Sequence, residues 1–99
     1  MGVTVSLTGR ALSDLSDIRD YLIPISPQGA ESVRRAIAET IALLAQYPNV
    51  GRETDITSVR VLPVVQYPYL IYHAVREDEV VILHIRHGAR AQPKSEDLR

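Results

Sequence analysis

Apolar and polar positions divide the chain into a helical first half and a strand-rich second half. From residue 3 to residue 8 they alternate, which predicts a half-buried strand. Thr8 is a suitable N-cap for a following helix, which the sequence predicts to run to about Ile23, where Pro24 ends it. Its apolar stripe follows the helical period and consists of Ala11, Leu15, Ile18 and Leu22. The other sides of the helix are assigned the polar residues Ser13, Asp14, Asp17, Arg19 and Asp20.

A second helix is predicted after Ser26, which serves as its cap. Pro27 takes the first helical position, where a missing N–H costs nothing. Pro48 and Gly51 stop the helix. Its apolar stripe consists of Ala30, Val33, Ile37, Ile41 and Leu44. About twenty residues give a helix of about 30 Å, so we expect it to lie across the sheet.

Runs rich in Val, Ile, Leu and Tyr predict strands in the second half, at about 59–65, 69–75 and 80–86. The charged stretch 76–79 is a natural hairpin turn between the last two. Because the final run is apolar on both faces, we expect that strand to be interior in the sheet. The predicted fold class is α+β, in the order β-α-α-β-β-β, with two antiparallel-packed helices on one face of a small, mostly antiparallel sheet.

The hairpin also predicts which side chains share a face. With a turn at Glu77 and Asp78, Ala74 faces Val81, and we expect the alternation to continue along both strands without interruption. The face that we expect the helices to cover consists of Leu70, Tyr72, Ala74, Val81, Leu83 and Ile85. The opposite face then consists of Tyr69, Ile71, His73, Ile82, His84 and Arg86.

Composition bounds the class of protein. Ninety-nine residues predict one domain, which we place at 1–93, with a loosely held tail at 94–99. The chain has no cysteine, which excludes disulfides, zinc fingers and thiol nucleophiles. There is no apolar run of membrane-spanning length and no secretory signal. We therefore expect a cytoplasmic protein without membrane contacts.

Candidate chemistry lies in the C-terminal half. Six basic or imidazole side chains are the candidate residues for binding a target or a partner protein: Arg60, His73, His84, Arg86, His87 and Arg90. Ribonuclease chemistry by 2′-hydroxyl attack needs a base, an acid and cations for the phosphate. The same six residues supply these types, and the alternative catalytic set among them consists of Arg60, Arg86, His87 and Arg90. Alternatively, all six are ordinary strand-end and surface polar residues, or lie against an acidic partner.

Arg60 has a functional and a structural interpretation. Burying an unpaired guanidinium is costly, so we expect Arg60 on the face away from the helices, with Val59 and Val61 turned towards them. We expect Arg86 and Arg90 to be exposed along the same basic edge. In the structural alternative, Arg60 pairs with Glu53 or Asp55.

Neither a metal nor a cofactor is predicted. His84 and His87 are three positions apart, which on a strand directs their side chains to opposite faces, so they cannot chelate one ion. The chain also has no glycine-rich phosphate loop and no nucleophile elbow.

Five short segments stand in a distinctive order along residues 3–93. They are Ala11-x-x-Asp14-Leu15-x-x-Ile18-x-x-Tyr21-Leu22, Pro48-x-x-Gly51-Arg52, Val59-Arg60-x-Leu62, Tyr67-Pro68-Tyr69-Leu70-Ile71-Tyr72 and His84-Ile85-Arg86-His87-Gly88-Ala89-Arg90. In order and spacing they resemble the toxins of the RelE/ParE superfamily of bacterial toxin–antitoxin pairs. The resemblance implies two helices against a small antiparallel sheet.

Two branches of that superfamily differ in their targets. RelE-like members are strongly basic, ribosome-dependent mRNA endonucleases with a catalytic Tyr, Arg or His near the C-terminus, whereas this chain has a net charge of −1, one Lys and no Tyr after Tyr72. The ending 85–90 resembles that of ParE-like members, which poison DNA gyrase. The resemblance favours a ParE-like toxin that arrests growth without being an enzyme and is neutralised by a ParD-like antitoxin. A RelE-like endonuclease is the alternative, and a degenerate toxin that only binds its antitoxin is a second one.

Overall fold

The structure is a computed structural model that describes residues 3–89. Its elements are β1 (Thr4–Leu7), α1 (Gly9–Leu22), α2 (Pro27–Gln46), β2 (Arg52–Glu53), β3 (Arg60–Pro63), β4 (Tyr69–Arg76) and β5 (Glu79–His87). The predicted α+β class is confirmed, with both helices packed against the sheet. The sequence pattern missed β2, because two charged residues carry no alternation. The predicted tail at 94–99 lies outside the described residues.

Both helices begin at the predicted caps. The hydroxyl of Thr8 accepts a hydrogen bond from the backbone N–H of Ala11 at 3.1 Å, and that of Ser26 accepts one from Gly29 at 3.0 Å. Each cap satisfies an N–H that has no partner inside its own helix. Neither helix is long and apolar enough to cross a membrane within residues 3–89.

The sheet has five strands in the order β1-β5-β4-β3-β2. β1 runs parallel to β5, and the other neighbouring pairs are antiparallel. The last strand lies between β1 and β4, so its predicted interior position is confirmed.

One bulge interrupts the β4–β5 hairpin. Near the turn the register is the predicted one, and it continues as far as the pair of His73 with Ile82. The next pair joins Tyr72 to His84, which leaves Leu83 as an extra residue on β5. From this point onward each β5 side chain faces the side opposite to that given by uninterrupted alternation.

The helices cover one face of the sheet, here called the helix side. Val33, Ile37 and Leu44 of α2 pack there along most of the helix, as expected for a helix that lies across the sheet. The buried sheet residues of this cluster are Val64, Tyr69, Ile71, Val80, Ile82 and Ile85. The other face, here called the far side, carries a cluster of strand residues: Val59, Val61, Tyr72, Ala74, Val81 and Leu83.

The predicted assignment of faces is therefore wrong for most residues. Leu70, Tyr72, Ala74, Val81 and Leu83 belong to the far side, and Tyr69, Ile71 and Ile82 belong to the helix side. Both faces of these strands are apolar, so hydrophobicity did not distinguish them. Ile85 does lie on the helix side as predicted, because the bulge returns it there. Val59 and Val61 turn away from the helices, contrary to expectation.

Candidate functional site

The structure divides the candidate residues between the two faces of the sheet. Arg60 and His73 face each other across β3 and β4 on the helix side. His84 and Arg86 lie on the face away from the helices, as the sequence predicted, but they meet Tyr72 there, which was predicted on the other face. His87 returns to the helix side, where its ring meets that of Tyr69 edge-on at 5.6 Å between centroids. Arg90 lies outside the described residues.

Arg60 is on the face where it was not expected. Its Nη1 donates a hydrogen bond to the carbonyl of Gly51 at 3.0 Å, and its Nη2 lies 3.5 Å from a carboxylate oxygen of Glu53. Its side chain is 33 % exposed, so the cost of full burial never arises. The expectation failed because the loop after α2 supplies a carbonyl, and the pair with Glu53 is the structural alternative considered above.

Gly51 makes that loop contact possible. Its φ is +105°, and a Cβ at this position would lie 2.7 Å from the carbonyl oxygen of Val61. A glycine therefore permits the chain to pass close over β3 and to direct its carbonyl at Arg60.

His73 is fully buried beneath the same loop, at 0 % exposure. Neither of its ring nitrogens has a hydrogen-bond partner within the described part of the chain. Burial and the charge of Arg60 lower the pKa of His73 to about 4, against a smaller opposing effect of the Val50 backbone. His73 is consequently neutral at neutral pH and presents no surface to a partner.

Tyr72, His84 and Arg86 of the far side form a connected group with Asp14 of α1, here called the Tyr72 cluster. Asp14 Oδ2 lies 2.6 Å from His84 Nδ1 and accepts the backbone N–H of Ile85 at 2.9 Å. The His84 ring stacks on Tyr72 with centroids 6.0 Å apart. A side chain of α1 is thus joined to the interior of the sheet.

Asp14 was assigned to the outer sides of its helix, so sequence analysis missed its role. It follows the buried Ala11 by three positions and therefore flanks the buried stripe. Burial alone would raise the pKa of Asp14, but the hydrogen bonds from His84 and from the Ile85 backbone together hold this pKa below its ordinary value. Its presence in the first of the five recognised segments was the available signal.

Arg86 completes the cluster. Its Nε donates to the Tyr72 hydroxyl at 3.0 Å, its Cζ lies 5.5 Å from the Tyr72 ring centroid, and its Nη1 donates to the His87 carbonyl at 3.0 Å. Arg86 is only 6 % exposed, contrary to the expectation of an exposed cation. The phenol provides both a hydrogen-bond acceptor and a π face for the guanidinium.

This arrangement limits the possible chemistry. Arg60 and Arg86 lie on opposite sides of one sheet, so a single phosphate cannot contact both. His84, oriented by Asp14, has the geometry of an imidazole held in one tautomer. No group of three or more His, Asp or Glu side chains able to hold a metal ion occurs among residues 3–89.

Two concave surfaces flank the helices. A cleft of about 640 Å³ opens between α1, the start of α2 and the ends of β4 and β5, and its walls include Tyr21, Arg86 and His87. A groove of about 560 Å³ runs between the two helices. Its lining is mainly aliphatic and consists of Leu12, Leu15, Ser16, Ile18, Arg19, Ile23, Pro27, Ala30, Glu31, Val33, Arg34 and Ile37.

Comparison with known proteins identifies first the class of protein and then the family to which the chain belongs. The family described as the ParE toxin of the type II toxin–antitoxin system parDE matches residues 5–92. The chain is 42 % identical over 83 residues to Toxin RelE2 of Caulobacter vibrioides, and the match covers 84 % of this chain and 92 % of that protein. The chain is a type II toxin of the RelE/ParE superfamily. It belongs to the ParE toxin family.

Solved structures agree with this assignment. The chromosomal ParDE system of P. aeruginosa contains a chain that superimposes with a TM-score of 0.77 at 28 % identity, covering 86 % of this chain and 95 % of that one. The E. coli toxin RelE, solved as a mutant in the free state, superimposes with a TM-score of 0.69 over 90 % of this chain and 86 % of that one. Its identity of 11 % shows a shared fold alone.

The buried His73 makes stability depend on pH. Its pKa is 6.5 in ordinary surroundings and about 4 in the folded protein, so between these values the unfolded chain binds a proton that the folded chain does not. Its contribution is therefore fully present above about pH 6.5 and is lost as the pH falls to about 4. We expect wild type to lose up to about 3 kcal/mol over this interval relative to His73→Leu, measured by urea unfolding at a series of pH values.

The matched control is Ile71→Val, a change on the same buried face of β4 that removes no titratable group and should keep the pH dependence of wild type. Parallel pH profiles for wild type and His73→Leu would contradict the assignment of this loss to His73.

Proposed function

We propose that the chain is a ParE-like toxin that poisons DNA gyrase and arrests growth until a ParD-like antitoxin neutralises it. The observation that carries the proposal is the separation of Arg60 from Arg86 by the sheet. A nuclease that cuts RNA by 2′-hydroxyl attack needs its cations around one phosphate. A toxin that binds a protein target has no such requirement.

The internal contacts of both arginines support the same proposal. Arg60 is held by Gly51 and by Glu53, and Arg86 is buried against Tyr72. Because these internal contacts occupy guanidinium donors, the two side chains are better suited to maintaining the shape of the surface than to binding a scissile phosphate.

Overall charge points in the same direction. The chain has a net charge of −1, and a single Lys stands among its eleven basic residues. Affinity for densely packed ribosomal RNA rests on phosphate neutralisation by many cations. Both the match to the ParE toxin family and the likeness to a ParDE system favour a protein target.

A RelE-like mRNA endonuclease is the second candidate function. It is favoured by the name of the Caulobacter relative, Toxin RelE2, at 42 % identity. The imidazole of His84, oriented by Asp14, has the geometry of a general base or acid.

The antitoxin partner follows from membership of a toxin–antitoxin family, and we propose the helix–helix groove as part of its binding surface. Leu12 and Ile23 stand exposed at its edge, at 55 % and 45 %, over an aliphatic floor. An amphipathic antitoxin segment that folds on binding would bury these side chains. Arg19 and Arg34 on the lining suit acidic residues on that segment.

Purified toxin should inhibit supercoiling by DNA gyrase, or trap gyrase on cleaved DNA, and should leave mRNA on programmed ribosomes intact. The assay is run in parallel with toxin already bound to its antitoxin, which should restore supercoiling. Codon-phased cuts in mRNA with no effect on gyrase would establish the endonuclease instead. Tight antitoxin binding with neither activity would identify a degenerate toxin.

Leu12→Glu places a carboxylate at the aliphatic groove, and this carboxylate would lose its water when the antitoxin covers the groove. Antitoxin binding should therefore weaken by at least about tenfold. Calorimetric titration of the folded variant with the antitoxin measures the loss. Leu43→Glu is the matched control, since Leu43 is exposed on α2 at 42 % and lies outside the groove. Equal affinities for the two variants would remove the groove from the binding surface.

A further inference from the structure

The free edge of β5 is closed by side chains of the α1 region instead of by a strand. β1 pairs with β5 from Glu79 to Ile82 and goes no further. Beyond it, the Thr8 hydroxyl donates to the carbonyl of Leu83 at 3.0 Å, and Asp14 accepts the N–H of Ile85 at 2.9 Å. Backbone groups at such an edge are costly when buried without partners. Asp14 therefore substitutes for a strand at this point.

Asp14 makes more than this one contact. The same Oδ2 that accepts from Ile85 also lies 2.6 Å from His84 Nδ1, while Oδ1 accepts from Arg10 at 3.3 Å. The Asp14 carboxylate accepts a backbone N–H and also contacts the imidazole of the preceding residue. These contacts fix both the path of β5 and the orientation of the His84 ring.

The contacts continue from His84 to Arg86. The His84 ring stacks on Tyr72, and the Tyr72 hydroxyl accepts from Arg86 Nε at 3.0 Å. Ile85, which Asp14 holds, is the residue between His84 and Arg86 in the chain. Asp14 thus acts on the placement of Arg86 by two routes, through the backbone of β5 and through the His84–Tyr72 stack.

We propose that Asp14 is a positioning residue, which anchors α1 to the end of β5 and thereby sets the orientation of Arg86 against Tyr72. The inference rests on the proposed function in one respect, namely that this end of β5 belongs to the surface that acts on the target. Asp14 itself need not touch the target.

Hydrogen exchange followed by NMR tests the structural part of the proposal. In Asp14→Ala, the Ile85 amide and the Arg86 Nε–H should both exchange at least about tenfold faster, as expected for the loss of one charge-assisted hydrogen bond. Amides of β3, such as that of Val61, should keep their protection. Asp14→Asn retains one acceptor oxygen and should restore part of the protection at Ile85, and it provides the measurement if Asp14→Ala does not fold.

Two further variants separate positioning from general stability. Tyr72→Phe removes the acceptor for Arg86, so the Arg86 Nε–H should exchange faster while the Ile85 amide stays protected. Asp20→Asn is the charge-matched control, since Asp20 is an exposed residue of the same helix. In this variant the Ile85 amide and the Arg86 Nε–H should both exchange at their wild-type rates. The toxin concentration that half-inhibits gyrase should rise by about tenfold in Asp14→Ala and in Tyr72→Phe, and should stay constant in Asp20→Asn.

Two results would overturn the proposal. In the first, the Arg86 Nε–H of Asp14→Ala exchanges as in wild type although Ile85 has lost its protection. In the second, gyrase inhibition falls while both protons stay protected, which would mean that Asp14 contacts the target directly. If wild type does not inhibit gyrase at all, the proposed function fails, but the exchange rates still decide whether Asp14 positions Arg86.

Discussion

The structure depends on one extra residue, Leu83, in the interior strand β5. Its carbonyl accepts a hydrogen bond from the hydroxyl of Thr8. The same hydroxyl caps α1 by accepting the backbone N–H of Ala11. One hydroxyl group therefore joins the bulge in β5 to the first turn of α1. The Thr8 hydroxyl therefore fixes both the residue at which α1 begins and the position of the bulge in β5.

Everything that follows along β5 depends on this bulge. It sends Ile85 into the helix-side core and leaves His84 and Arg86 against Tyr72 on the far side. It also brings the N–H of Ile85 to the edge, where Asp14 can accept it. A regular strand would have placed Arg86 with Ile82, under the helices, where a guanidinium costs several kcal/mol to bury without a partner. The bulge is thus the feature that makes the Tyr72 cluster possible.

Much of the fold could be predicted from the sequence, because local signals such as the caps Thr8 and Ser26 and the stop at Pro24 act within a few residues. The interior position of the last strand was likewise readable from its apolar run. The assignment of side chains to the two faces of the sheet could not be predicted, because both faces are apolar. A register shift of one residue moves every side chain of a strand to the other face. Family membership could also be predicted, because five separate segments had to agree in order and spacing.

The candidate site was harder to predict than the fold. Arg60 was misplaced because no pattern in the sequence shows that the carbonyl of Gly51 will meet its guanidinium. Asp14 was missed because a carboxylate on the flank of an amphipathic helix normally faces water, and its partners are seventy residues away in sequence. Long-range hydrogen bonds of this kind depend on how the helix docks, which the pattern of apolar residues does not specify.

The bulge itself is the central claim, and backbone proton contacts across the β4–β5 hairpin in solution test it most directly. Nuclear Overhauser effects should join Tyr72 to His84 and Ile71 to Ile85, and Leu83 should have no facing partner on β4. Contacts that join Tyr72 to Leu83 in a continuous register would contradict the account, since they would return Arg86 to the helix side and separate it from Tyr72.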